Sequence, residues 1–260
     1  MKLAAEHYLA KMHKSPGLPV PDLMNIAIQS LGLSDVSDFK AEEKILRMPK
    51  ADGELSNRVT LDFIDEVSRD SAAPGGGSVA ALSGALGAAL STMVANLSIS
   101  KPGFEKMQMT LTDISQRGQK VKDRLVKAID DDTSAFDQVI KAMRMPKDTE
   151  EEKLARDVEM QKGYQIATLV PLETVKDCKE ALEICHDISK IMDDSMASDV
   201  GSGACLANAG AISAAYNVRI NIKSINDSEF CKKMDKEINE LLNKCKTLSD
   251  KISKIVKKTF

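Results

Sequence analysis

The chain has 260 residues, with 36 basic and 39 acidic side chains and a formal net charge of −3 at pH 7. That balance lacks the basic footprint of a nucleic-acid binder, and five cysteines and three histidines at no metal-ligand spacing exclude a zinc centre. Aromatic residues make up 3% with no Trp, so the core must be assembled from small and aliphatic side chains, which suits closely crossing helices.

In chain order, Ala4 to Lys14 reads as a helix, broken by Ser15-Pro16-Gly17-Leu18-Pro19. Pro21-Asp22 opens a second, with Leu23, Ile26, Ala27 and Leu31 on one face and Gly32 at the C-cap. Residues 41–47 suggest a short third helix. The polar stretch 49–57 reads as a linker, which divides the chain into 1–57 and 58–260.

Beyond the linker the pattern is helical throughout. The helix at 59–71 carries Leu61, Ile64 and Val67 on one side, with Phe63 adjacent. Pro74-Gly75-Gly76-Gly77-Ser78 then opens a run from Val79 to Ile99 built almost wholly of Ala, Gly, Ser, Leu and Val. Three glycines permit positive φ and close approach of another group. A helix starting at Ser78 would aim unpaired N–H groups into the loop, an anion-binding cradle. No Gly-Lys-Ser/Thr follows and no strand precedes, so neither phosphate fingerprint applies. The run is long enough to span a bilayer, but its Ser, Thr and Asn residues point to a buried central helix. No membrane partner is expected.

A long helix covers 104–143, with a bend expected near Gly118. Thr149 caps the next, whose first turn holds Glu150, Glu151 and Glu152. Pro171 is expected to end or kink that helix, with another segment over 172–192. A second small-residue helix covers 200–222, for which Ser198 or Asp199 is the expected cap, and the last runs from Asp227 to about Phe260. The two small-residue helices repeat Ala80, Gly84, Ala88 and Gly203, Ala207, Ala211, Ala215 at four-residue intervals, so they should lie against each other, within a subunit or across a dimer. The expected fold is all-α: a bundle of long helices with two small-residue-rich central helices, dimeric. Unpaired cysteines indicate reduced thiols and a cytoplasmic setting.

The acids Asp130, Asp131 and Asp132 project about 100° apart on the long helix. Asp132 shares a face with Phe136 and so approaches the packed side, where a carboxylate must be paired, protonated or functional. Asp131 faces solvent. Asp199 caps its helix or projects into a site beside Asp132. Asn217 and Asn221, four apart, either hydrogen-bond their neighbours or read a heterocycle. With no nucleophile elbow and no metal cluster, any reaction here must run on carboxylate proton transfer, backbone dipoles and positioning.

From about Thr60 onward, these motifs resemble the cyclodeaminase/cyclohydrolase family of folate enzymes. They are Ser71-Ala72-Ala73-Pro74-Gly75-Gly76-Gly77-Ser78-Val79-Ala80-Ala81, Asp130-x-Asp132-x-x-Ala135-Phe136, Pro146-Lys147 before Thr149, Val170-Pro171-Leu172, Ser198-Asp199 and Tyr216-Asn217-Val218-x-Ile220-Asn221. The first 48 residues, with Ala4-Ala5-Glu6-x-Tyr8-Leu9, Ser15-Pro16-Gly17 and Gln29-Ser30-Leu31-Gly32-Leu33, resemble the tail of a glutamate formimidoyltransferase. The α/β part of such a transferase is missing, and no transferase activity is expected.

The resemblance implies ring closure of 5-formimidoyltetrahydrofolate to 5,10-methenyltetrahydrofolate with release of ammonia, a step of histidine degradation. No cofactor beyond the folate substrate and no metal are implied. It makes Asp132 the catalytic carboxylate, supported by Asp130 and Asp199. Gly75, Gly76, Gly77 and Ser78 are expected to hold a substrate carboxylate or pterin edge, and Asn217 to read the pterin. Two nearby carboxylates would raise one pKa. The family often has Gly-Asn where this chain has Met192-Asp193. A methenyltetrahydrofolate cyclohydrolase, or a non-catalytic helical oligomerisation module, are the competing readings.

Overall fold

The computed structural model of the protein describes residues 1–35, 39–40, 44, 60–71 and 73–260. The expected linker at 49–57 and the short helix over 41–47, Lys44 apart, lie outside them. Among the described residues there is no strand. The helices are α1 (Lys2–Lys11), α2 (Val20–Ser30), α3 (Thr60–Val67), α4 (Gly76–Ser98), α5 (Gln108–Met143), α6 (Glu150–Ser189), α7 (Ala197–Ile222) and α8 (Ser228–Val256).

Helix α4 is the centre of the bundle and packs against α5, α6 and α7, while α8 closes the far side on α6 and α7. The small-residue spacing has the consequence expected of it, within one subunit. A methyl group at Gly87 would stand 2.6 Å from the Gly203 carbonyl, and one at Gly210 would stand 2.7 Å from that of Ala80. The backbones of α4 and α7 therefore run against each other with no room for side chains between them. Around this contact, Val94, Leu125, Leu172, Ile184, Val200 and Ile238 form one core. Helix α4 is long and apolar enough to cross a membrane (mean hydropathy 1.6), but 61% of that window is buried against the other helices.

Local signals explain most element ends. Thr149 and Glu152 form a reciprocal capping box at the start of α6. Asp227 accepts the N–H groups of Glu229 and Phe230 to open α8. Gly32, at φ +63°, closes α2 in a Schellman arrangement: its N–H reaches the Gln29 carbonyl, and the Leu33 N–H reaches that of Ile28.

Three expectations are corrected. Pro171 does not end its helix, and α6 runs unbroken for 40 residues with Pro171 inside. Neither Ser198 nor Asp199 caps α7, because the helix already begins at Ala197 and its cap position, Met196, offers no side-chain acceptor. On α3 Phe63 is buried, packed on Ala81 and Ile129, whereas Ile64 and Val67 are exposed. At Gly118 the glycine serves packing, since a methyl group there would overlap the Thr92 hydroxyl on α4.

The N-terminal hairpin is bolted to the bundle. The Gly17 carbonyl accepts from Asn96 Nδ2 on α4 at 2.7 Å and from Gln119 Nε2 on α5 at 3.2 Å. Ser15 Oγ lies 2.9 Å from Ser115 Oγ.

Candidate active site

The site is built on the first turn of α4. Gly75 holds the N-cap position in an extended conformation (φ −117°, ψ −160°) and supplies no side-chain cap. The helix begins at Gly76, ahead of the expected Ser78, and Gly75, Gly76 and Gly77 all lie outside positive φ. What the glycines permit is close approach. A methyl group at Gly77 would overlap the Asp132 carboxylate, and one at Gly76 would stand 3.3 Å from Asn217 Nδ2. Helix α5 thus lays a carboxylate over the uncapped end of α4, where free N–H groups and the helix dipole favour negative charge. The anion at this helix end is the chain's own Asp132, which revises the expectation of a cradle for a substrate carboxylate.

Ser78 is fully buried and locks the two helices together. Its hydroxyl donates to the Ile129 carbonyl at 2.9 Å and lies 3.4 Å from Asp132 Oδ2. Burial pushes the Asp132 carboxyl above the usual carboxylate range, while the hydroxyl and backbone N–H of Ser78 pull it part of the way back. The upward shift comes from desolvation, not from a neighbouring carboxylate as expected. Asp131 instead faces outward and pairs with Lys127 at 2.6 Å.

In front of Asp132 lies a cavity of about 170 Å³. Ala73, Gly75 and Gly76 form one wall; Asp132, Thr133 and Phe136 of α5 form another; Ala167 of α6 and Asn217, Ile220 and Asn221 of α7 complete it. The volume takes one edge of a bicyclic ring rather than a whole drug-sized ligand. Asp132, Gly75, Gly76 and Asn217 are thus brought together as expected, with Gly77 and Ser78 directly behind the carboxylate. Asp130 is not part of the lining. Asp199 sits in the first turn of α7, eighteen residues from Asn217, or about 27 Å along the axis. Within one subunit it does not stand beside Asp132. Asp193 caps the short turn Asp194–Met196 and pairs with Lys101 at 3.3 Å, at that same distant end.

Two contributors, Pro171 and Thr133, went unread in the sequence. Pro171 cannot donate to the carbonyl four residues earlier, that of Ala167. Asn221 Nδ2 fills the gap, donating to the Ala167 oxygen at 2.6 Å. The proline thereby turns an ordinary helical carbonyl into an anchor for a site amide. Asn217 is held by its own helix, donating to the Ser213 carbonyl at 2.9 Å. Each amide keeps its second N–H and its oxygen for a ligand. The second contributor is Thr133, whose buried hydroxyl has no partner among the described residues. Its usual acceptor one turn back, the Ile129 carbonyl, receives Ser78 instead.

The sequence profile of the formiminotransferase-cyclodeaminase family matches residues 60–240, which contain every side chain of this cavity. The chain belongs to that family. Over 201 residues it is 35% identical to a methenyltetrahydrofolate cyclohydrolase of Methylorubrum extorquens, covering 77% of this chain and 97% of that one. It is 33% identical over 247 residues to a formimidoyltransferase-cyclodeaminase of Gallus gallus, covering 94% of this chain but 46% of the relative. The chain thus spans less than half the length of that bifunctional relative. A crystal structure of formiminotetrahydrofolate cyclodeaminase from Thermotoga maritima superposes with a TM-score of 0.71 at 26% identity, covering 78% of this chain and 98% of that one. Membership in the formiminotransferase-cyclodeaminase family makes the Asp132 cavity the candidate centre of a folate-processing enzyme.

Proposed function

We propose that the chain closes the ring of 5-formimidoyltetrahydrofolate to 5,10-methenyltetrahydrofolate with loss of ammonia, as a step of histidine degradation in a cytoplasmic setting. The observation that carries this reading is a single half-buried carboxyl, Asp132, raised in pKa by burial and aimed into a small cavity lined by two amides. An amidinium substrate brings the positive charge that the methenyl cation keeps. N10 attacks the amidine carbon, and the new N10–C bond creates a tetrahedral centre. The carbon–nitrogen bond to the exocyclic nitrogen then breaks. One proton must leave N10 and reach that departing nitrogen, and Asp132 ferries it. Burial that brings the carboxyl pKa upward suits both halves of the transfer. Asn217 and Asn221 offer donors and acceptors to the pterin edge, and holding both reacting nitrogens in one molecule removes the entropy of encounter.

A second reading has its own support in the 35% identity that extends over nearly all of the cyclohydrolase relative. Water would then add to the methenyl carbon, Asp132 would take one of its protons, and the remaining hydroxyl proton would pass to N5 as the N5–carbon bond breaks, leaving the 10-formyl product. The N-terminal hairpin favours the deaminase, because the segment resembling a transferase tail packs on the bundle through Gly17. Ammonia release from the formimidoyl substrate, measured beside loss of methenyl absorbance, decides between them. Ammonia release abolished by Asp132→Asn is the expected result. Folate binding without turnover of either substrate would leave the non-catalytic module.

A further inference from the structure

We infer that the cavity is completed by Asp199 of a second copy of this chain, brought in by antiparallel pairing of α7 about a twofold axis near Ala209; the inference rests on the folate reading above.

The face shared by α4 and α7 is exposed and uncharged over most of its length. Helix α4 contains no charged residue, and α7 has one near each end, Asp199 and Arg219. Val79, Leu86, Met93 and Leu97 stand out from α4, with Leu97 53% exposed. On α7, Ser202, Cys205, Ala209, Ile212, Tyr216 and Ile220 follow one another at three- and four-residue steps, all exposed, with Tyr216 at 62%. Such a stripe marks a helix seam awaiting a partner. It is about 27 Å long and, across two helices, about 20 Å wide, so each copy would cover on the order of 500 Å², and the two together about the 1,000 Å² that a specific interface needs.

The order of side-chain sizes selects the direction of pairing. The N-terminal half of the stripe is small and the C-terminal half is large. A twofold axis at Ala209 sets Tyr216 opposite Ser202 and Ile220 opposite Ser198, large against small. Parallel pairing sets Tyr216 against Tyr216. The same antiparallel operation exchanges the ends of α7. Asp199 and Asn217 are eighteen residues apart, or five full turns, so they project from the same side of the helix, and their midpoint is residue 208. With the axis at Ala209, one residue from that midpoint, the exchange brings Asp199 of one copy within two residues, or about 3 Å along the axis, of Asn217 of the other, on the same flank. Ile220 belongs to both the stripe and the cavity wall, so the cavity opens at this seam. There Asp199 supplies the acceptor that the adjacent N–H donors of a pterin's aminopyrimidinone edge require.

Two measurements test this. Single cysteines are placed in a Cys205→Ser background and oxidised. Antiparallel pairing predicts that Ala209→Cys forms a covalent dimer and Ser202→Cys does not. A monomer in sedimentation, or crosslinking through Ser202→Cys, overturns the pairing without reference to activity. Asp132→Asn and Asp199→Asn chains are then co-expressed and assayed below KM. A site shared between copies leaves one intact site in each mixed dimer and restores about a quarter of wild-type turnover. No recovery places both acids in one chain and overturns the proposal. Wild-type protein that turns over neither folate would refute the functional reading instead, with the cysteine experiment still deciding the interface.

Discussion

The Gly77 backbone and the Asp132 carboxylate occupy adjoining space with no allowance for a β-carbon between them. Two helices meet there, and the contact holds an acid at a helix N-terminus that has no cap of its own. The triplet of glycines is therefore graded in its tolerance. Gly77→Ala is expected to push the carboxylate aside, cost about 1–3 kcal/mol of stability and sharply lower kcat. Gly76→Ala presses on the terminal amide of Asn217 at 3.3 Å, a side-chain end that can shift by a few tenths of an ångström, and is expected to raise KM with a smaller loss of stability. Gly75 has open space around it, and Gly75→Ser should change stability by under about 0.5 kcal/mol. Denaturation midpoints and steady-state kinetics of the three variants test the order.

Asp132→Asn should lower kcat by about 10²–10⁴-fold, the usual worth of a positioned acid–base group. Its stability should move the other way. The folded carboxyl titrates above its ordinary 3.8, so between that value and the folded pKa the native state holds a proton that the unfolded chain has released. Wild-type stability therefore falls as pH rises through the folded pKa. The Asn variant escapes this loss, and its Tm should exceed that of wild type at pH 8, the difference shrinking toward pH 4. A Tm difference that grows on acidification would contradict the burial of Asp132.

The bond from Asn221 to the Ala167 carbonyl exists because Pro171 withholds its own N–H. Asn221→Leu should cost about 1–3 kcal/mol by leaving that carbonyl unpaired. In a Pro171→Ala background the helix repairs itself, and the same substitution should cost far less. A double-mutant cycle read by chemical denaturation should show a coupling of about 0.5–3 kcal/mol, and additive costs would refute the link.

Gly17 faces Ser115 with no space for a methyl group, and its carbonyl takes two side-chain amides. Gly17→Ala is expected to release the hairpin α1–α2. Hydrogen exchange should then quicken across residues 2–30 while α4 to α8 keep their protection. Uniform protection throughout would show that the hairpin is held elsewhere.

Cys185 is pushed up to about 12 by burial, and Cys178 rises for the same cause. Both thiols should resist alkylation in the native protein, whereas exposed Cys205 should react first unless a partner helix covers it.

Much of this molecule was legible in one dimension. The all-α class, the Thr149 cap, the Gly32 terminus and the contact between the two small-residue helices follow from local rules, because caps and close backbone approach depend on residues a few positions apart. Asp132 also stood out, since a carboxylate on the face of Phe136 needs a reason to be there. The glycines read as positive φ and close approach together; only the close approach holds, and the group that approaches, residue 132 more than fifty positions away, did not stand out. Pro171 read as a helix end because a lost N–H is visible locally and its replacement by Asn221 is not. Asp199 read as a neighbour of Asp132, and only the length of α7 places it at the other end of the helix. Periodicity thus determines which face of each helix is buried. Which carbonyl, carboxylate or amide meets another across that face is decided by packing, because those partners share space without sharing sequence.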